Sequence, residues 1–187
     1  MTSTLAGEDW ISDVLAFWFD ELDRAAWFRV DAETDHEIRE RFLVLYEVLT
    51  TWPVEDALAS ADRALATILV LDQFPRNMFR DGPQAFATDA RAREVAERAV
   101  ARGLDKEVAV ERRLFFYLPF EHSEDRRDQQ RSVELVRALG DAEYERYALA
   151  HKDIIDRFGR FPHRNDILGR ETTPQEAEFL KEPGSKF

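Results

Sequence analysis

Apolar residues recur at the spacing of a helix face along almost the whole chain, and no alternating pattern of strand type competes with them. Trp10, Ile11, Val14, Leu15 and Trp18 form the first stripe. Thr34-Asp35-His36-Glu37 has capping-box spacing, and Ile38, Phe42, Leu45, Tyr46 and Leu49 follow it until Trp52-Pro53 interrupts. Leu65, Ile68, Leu69 and Asp72 share the next stripe, expected to end before Pro75 because proline disfavours helical geometry in the residue before it. Further helices are expected from Thr88 to Arg102 with a stop at Gly103, from Asp105 to Leu118 with a break at Pro119, and from a Ser123 cap to Gly140. The one after that should end at Gly159, and Thr173-Pro174-Gln175-Glu176 opens the last with a capping box and proline at the first helical position. The pattern predicts an all-α chain of seven to nine helices in one domain over residues 1–187, with 182–187 as a frayed tail.

With 187 residues, 44% hydrophobic and 34% charged, the chain has the composition of an ordinary soluble globular protein. A net charge of −12 opposes broad binding to nucleic acid or to an anionic membrane. The absence of cysteine excludes disulfides, thiolate zinc sites and thiol catalysis, and fits a cytoplasmic setting. Val14 to Phe19 is the most apolar run near the N-terminus, far short of the ~20 residues a membrane span needs, so neither a secretory nor a transmembrane segment is read.

Two short segments nearly repeat each other: Phe74-Pro75-Arg76-Asn77, after Leu71-Asp72-Gln73, and Phe161-Pro162-His163-Arg164-Asn165, after Phe158-Gly159-Arg160. Both are read as charged loops that end helices. Asp72, on an apolar stripe at an expected helix C-terminus, needs a compensating cation, from Arg76 or from an arginine of the second loop. It serves either as a structural ion pair or as part of a site. Arg76, Asn77, Arg160, Arg164 and Asn165 supply forked donors suited to carboxylate or phosphate, although the same arginines could cap helix ends. Gln73, Glu124 and His163 complete the candidate ligand-binding set.

Candidate proton-transfer groups come from the same neighbourhoods. His151 shares a helix face with Tyr144, Ala148, Ile155 and Phe158, so it should point inward, where a hydrogen-bonded core histidine is the default. His122, between Glu121 and Ser123 at an expected helix start, is the more suggestive. Glu121, His122 and His151 are therefore the candidate catalytic residues. Glu121, His122, Glu124, Asp125 and His151 include ligand types without any established ligand spacing, so no metal and no cofactor is assigned. Glycine-rich nucleotide loops and a Gly-x-Ser-x-Gly elbow are absent. Most aromatic residues fall on helix stripes; Trp27-Phe28 is the pair that belongs to none, suited to line a pocket or to staple the entry of a helix.

Val14-Leu15-x-Phe17-Trp18-Phe19, Leu71 to Asn77, Ala85-Phe86-Ala87-Thr88-Asp89, Leu118 to Glu124 and Phe158 to Asn165 together resemble the bacterial domain-of-unknown-function family numbered 924, over essentially the whole chain and in the family's motif order. The resemblance implies an all-helical fold similar to tetratricopeptide-repeat arrays, with paired antiparallel helices. It implies no reaction, because the family carries no established activity. The Trp-Leu-Gly-Tyr pattern of true tetratricopeptide repeats is not displayed.

Two functions fit these residues. One is an enzyme acting on a small anionic metabolite in a pocket formed by the two loops, with His122 or His151 moving a proton. The other is a non-catalytic module holding an acidic peptide or carboxylate ligand in a helical groove. A purely structural polar network that locks helix ends together competes with both.

Overall fold

A computed structural model describes residues 9–185, and all regular structure among them is helical. The α-helices are α1 Asp9–Ala16, α2 Ala32–Leu49, α3 Val54–Ala57, α4 Ala61–Ile68, α5 Phe74–Met78, α6 Asp89–Ala101, α7 Val110–Glu121, α8 Arg126–Arg137, α9 Ala142–Phe158 and α10 Pro174–Phe179. A π turn, Phe17–Glu21, prolongs α1, and another, Leu69–Gln73, joins α4 to α5 without a break. Among the described residues there are thus nine continuous helices. No helix there is long and apolar enough to cross a membrane.

Among the described residues, 9–80 with 84–119 form one compact unit, and 81–83 with 120–185 form another. In the first, α2 packs on α5, α4 on α6 and α1 on α4. Its core is aromatic: Phe42 lies 4.9 Å from Phe74 and 5.3 Å from Phe17 between ring centroids, and Trp18 meets Phe115 edge-on at 5.7 Å. Trp27 and Phe28 join this cluster from a 3-10 turn. Trp27 sits edge-on to Phe115 at 5.0 Å and donates its indole N–H to the carbonyl of Trp18 at 2.7 Å, which anchors the chain entering α2. In the second unit α8 packs on α9, and Ile154, Ile155, Phe161 and Phe179 form the apolar centre.

Of the three expected proline interruptions only that at Trp52-Pro53 occurs, between the end of α2 at Leu49 and the start of α3 at Val54; those at Pro75 and Pro119 do not. Pro75 lies inside the continuous helix Ala61–Met78, so Phe74 to Asn77 is helix rather than loop, and Asp72 is in a helix interior rather than at a C-terminus. Proline's missing N–H leaves the Leu71 carbonyl without its helical donor. The hydroxyl of Thr88 fills that place at 2.6 Å. Every residue from Ala64 to Pro75 is buried, so packing on all sides holds the helix through the proline. Pro119 is likewise interior to α7, where Leu114 to Glu121 are all buried.

Several caps differ by a few residues from those expected. Asp31, not Thr34, caps α2, accepting from the N–H groups of Glu33 and Thr34. Asp125, not Ser123, caps α8. The helix expected from Asp105 begins at Val110, after a separate 3-10 turn at Leu104–Glu107. Gly103, Gly140 and Gly159 all adopt the left-handed φ expected of helix-ending glycines, and α10 carries the Thr173–Glu176 capping box in full. Within the tail read as frayed, Lys186 and Phe187 lie outside the described residues, whereas Ser185 is buried and donates to the Leu180 carbonyl at 3.2 Å.

Candidate functional site

The first motif is a closed polar network in the first unit. Asp72 is fully buried; its Oδ2 accepts from Gln73 Nε2 at 2.6 Å, and its Oδ1 lies 3.4 Å from Arg76 Nη1. Arg76 was one of the two sources of compensation expected for Asp72. Its guanidinium also forks onto Asp89, at 2.9 and 3.0 Å, and bonds the Asp72 carbonyl. Burial works against the charge on Arg76, but Asp72 and Asp89 outweigh it and hold its pKa above the ordinary value. Asn77 donates to Asp35 of α2 at 2.8 Å. Asp72, Gln73, Arg76 and Asn77 therefore tie helices of their own unit to one another.

The second motif lies in the second unit, with Glu121, His122, Glu124 and His151. His122 follows the C-terminus of α7 and precedes α8 by several residues, because α7 runs through Pro119; the expected helix start, with its positive dipole end, is not there. The arrangement is centred on Phe161, which leaves the left-handed Gly159 turn and is fully buried. Its ring lies 5.6 Å from those of His151 and His163, and the Arg164 guanidinium stands 4.5 Å above it. Arg164 donates to the His122 carbonyl at 3.1 Å.

Two arginine forks brace the surroundings. Arg170 holds Glu124 at 2.8 and 3.1 Å, and Glu124 also accepts the Phe161 N–H at 2.8 Å. Burial disfavours the Glu124 carboxylate, but these donors prevail and keep its pKa below the usual range. Arg160 grips Glu176 at 2.6 and 2.8 Å, and Asn165 reaches the same carboxylate at 3.3 Å. Arg160's hydrogen bonds are the main reason that the Glu176 pKa falls to about 2.

Glu121 and His151 form the chemically distinctive pair. Glu121 is 4% and His151 6% exposed, and Nδ1 of the imidazole lies 3.2 Å from Glu121 Oε1 and 2.9 Å from the Tyr147 carbonyl. Burial is the main cause of a His151 pKa of about 3, with His122, Arg164 and His163 pushing the same way against the Tyr147 hydrogen bond. The ring is neutral near pH 7, and because a carbonyl can only accept, the proton sits on Nδ1 and Nε2 keeps its lone pair. The half-buried ring of His122 is 6.4 Å from that of His151. Among the described residues no group of three or more His, Asp or Glu side chains is placed to hold a metal ion.

The sequence pattern of a bacterial protein family of unknown function, DUF924, matches residues 14–184. The chain belongs to this family. A solved structure, that of the protein of unknown function ATU0120 from Agrobacterium tumefaciens, is similar to it: 43% identical, with a TM-score of 0.87 over 91% of this chain and 96% of that one. No curated protein matches.

Some members of the site in this DUF924 protein were not singled out from the sequence. Gln129 is fully buried and donates through Nε2 to the carbonyls of Glu121 and Ser123. It shares the inward stripe of α8 with Ser132, Val133 and Val136, a spacing of i, i+3, i+4 and i+7 that marks it in retrospect. Arg170 carries no such local mark, and Glu176 only that of its capping box; their partners, Glu124 and Arg160, lie far away in sequence.

Proposed function

We propose that this protein is an enzyme that moves a proton on a small carboxylate- or phosphate-bearing metabolite, using the Glu121–His122–His151 group of the second unit. The buried Glu121–His151 contact carries the proposal. A carboxylate and the Tyr147 carbonyl fix one ring nitrogen of a neutral imidazole, leaving the other as an acceptor. Half-buried His122 is the group that exchanges the proton with substrate, and the Glu121–His151 pair sets its surroundings. The Arg164 guanidinium acts on His151 and donates to the His122 carbonyl, so a cation suited to an incoming anion stands beside the group in an otherwise acidic chain. Arg76 and Arg160 are forked onto Asp89 and Glu176 and contribute architecture to this reading.

A second reading rests on a different observation. A groove of about 590 Å³ in the second unit is lined by the apolar side chains of Phe158, Pro174 and Phe179 and by Arg157, Gln175, Glu178 and Glu182. Phe158, Pro174 and Phe179 suit the apolar side chains of a peptide, and Arg157, stacked over the two phenylalanine rings, its terminal carboxylate, held without catalysis. The packing of the successive helices α8 and α9 in the second unit also supports a tetratricopeptide-like helix pair there.

A thermal-shift screen of the purified chain against carboxylate and phosphate metabolites and short peptides separates the two. A saturable rise in melting temperature with a small anion, lost in His122→Ala but kept in Arg157→Ala, supports the enzyme. The reverse pattern, with peptides only, favours the groove. A wild type that responds to no anion overturns the first reading.

A further inference from the structure

We infer that Gln129 is a positioning residue for the Glu121–His122–His151 group, pinning to α8 the main chain on both sides of His122; the inference rests on the acid–base reading above. The α7 helix stops at Glu121, and its last carbonyls have no helical donors left. The Phe120 carbonyl accepts the Ser123 N–H at 3.2 Å, and a side-chain amide serves the Glu121 carbonyl. Gln129 Nε2 donates to the Glu121 carbonyl at 2.6 Å and to the Ser123 carbonyl at 2.7 Å, with the Phe120 carbonyl at 3.5 Å. Its two strong acceptors flank His122, so neither neighbouring peptide can rotate without losing a bond.

The same face of α8 also holds the side chain of Glu121. Ser132, three residues on from Gln129, donates to Glu121 Oε2 at 3.4 Å, opposite the Oε1 that faces His151. The helix thereby fixes Glu121 through main chain and carboxylate together. Gln129 is fully buried, and its Oε1 accepts from no protein group. A residue kept only to fill this space would be better apolar, since burying an amide is favourable only for the bonds that it makes. What the site uses is the pair of donors.

Gln129→Met keeps length and approximate volume while removing both donors, and Gln129→Asn keeps an amide too short to reach both carbonyls. Each variant of the full chain is followed by NMR titration of the histidine Cε1–H signals, with exposed His36 of the first unit as internal reference. In the wild type His151, packed between Glu121 of α7 and the Arg164 guanidinium with His122 and His163 beside it, resists protonation to about pH 3 chiefly because it is buried. In either variant that folds, the loosened turn should move the His151 or His122 midpoint by about one pH unit or more, with His36 unmoved. Histidine titrations that superimpose on wild type, with only a lower melting temperature, would reduce Gln129 to a structural residue and overturn the inference. Because no substrate enters this measurement, it fails or succeeds independently of the anion screen.

Discussion

The imidazole of His151 faces the carboxylate of Glu121 at 3.2 Å inside the second unit, yet burial keeps the ring neutral rather than ion-paired. An unfolded chain would return His151 to an ordinary histidine pKa near 6.5. The unfolded state therefore binds the extra proton first as the solution is acidified, and stability falls with pH between the two values. From this group alone, stability is complete above about pH 6.5 and declines by up to about 1.4 kcal/mol per pH unit towards pH 3. Urea unfolding at pH 7 and pH 5 checks this: wild type should lose stability across the interval, and His151→Phe should show a flatter profile.

Thr88→Val removes the hydroxyl that serves the Leu71 carbonyl while preserving shape. The carbonyl is left buried beside Pro75, which should cost about 1–3 kcal/mol. Chemical denaturation reads the loss directly. An unchanged midpoint would mean that the helix tolerates Pro75 by packing alone.

Features set by neighbouring residues were legible in the sequence. The turn at Gly159 and the Thr173–Glu176 capping box each depend on a few adjacent positions, and both are present. The inward face of α9, with His151 on it, followed from periodicity. The break at Trp52-Pro53 is present, but those at Pro75 and Pro119 failed because what rescues those helices is not local: Thr88 reaches Leu71 from another element, and both helices are buried around their prolines. Caps slipped where several capable residues crowd together, as at Asp31 and Thr34 or Ser123 and Asp125. The arginines were recognised as important, but the carboxylates that occupy them, Asp89 and Glu176, could only be found in three dimensions.

Arg160→Met should alter acid stability in a different window. Glu176 is held at about 2 chiefly by Arg160, so its contribution is present above about pH 4.5 and lost as pH falls through 2. Without Arg160 the carboxyl titrates closer to its usual value, and the pH dependence contributed by this group below 4.5 shrinks. Carboxyl-resolved NMR titration of the two proteins would show the Glu176 midpoint moving upward; an unchanged midpoint would assign its depression to Thr173 instead.

Arg76→Ala takes the cation away from fully buried Asp72 and from Asp89, and should destabilise by about 3–5 kcal/mol. Arg76→Lys should recover only part of this, because an ammonium cannot reproduce the two-point contact with Asp89. Thermal melts of the two variants against wild type supply the ranking, and a lysine variant as stable as wild type would contradict it.

The bond from Thr88 to Leu71 links two positions that share no chemistry of their own, the proline at 75 and the hydroxyl at 88. A relative with an ordinary residue in place of Pro75 has a backbone N–H for the Leu71 carbonyl and no further need of a hydroxyl opposite it. Selection should then act on the pair as a unit, so that across the family threonine or serine at the second position is inherited together with proline at the first and drifts once that proline is lost.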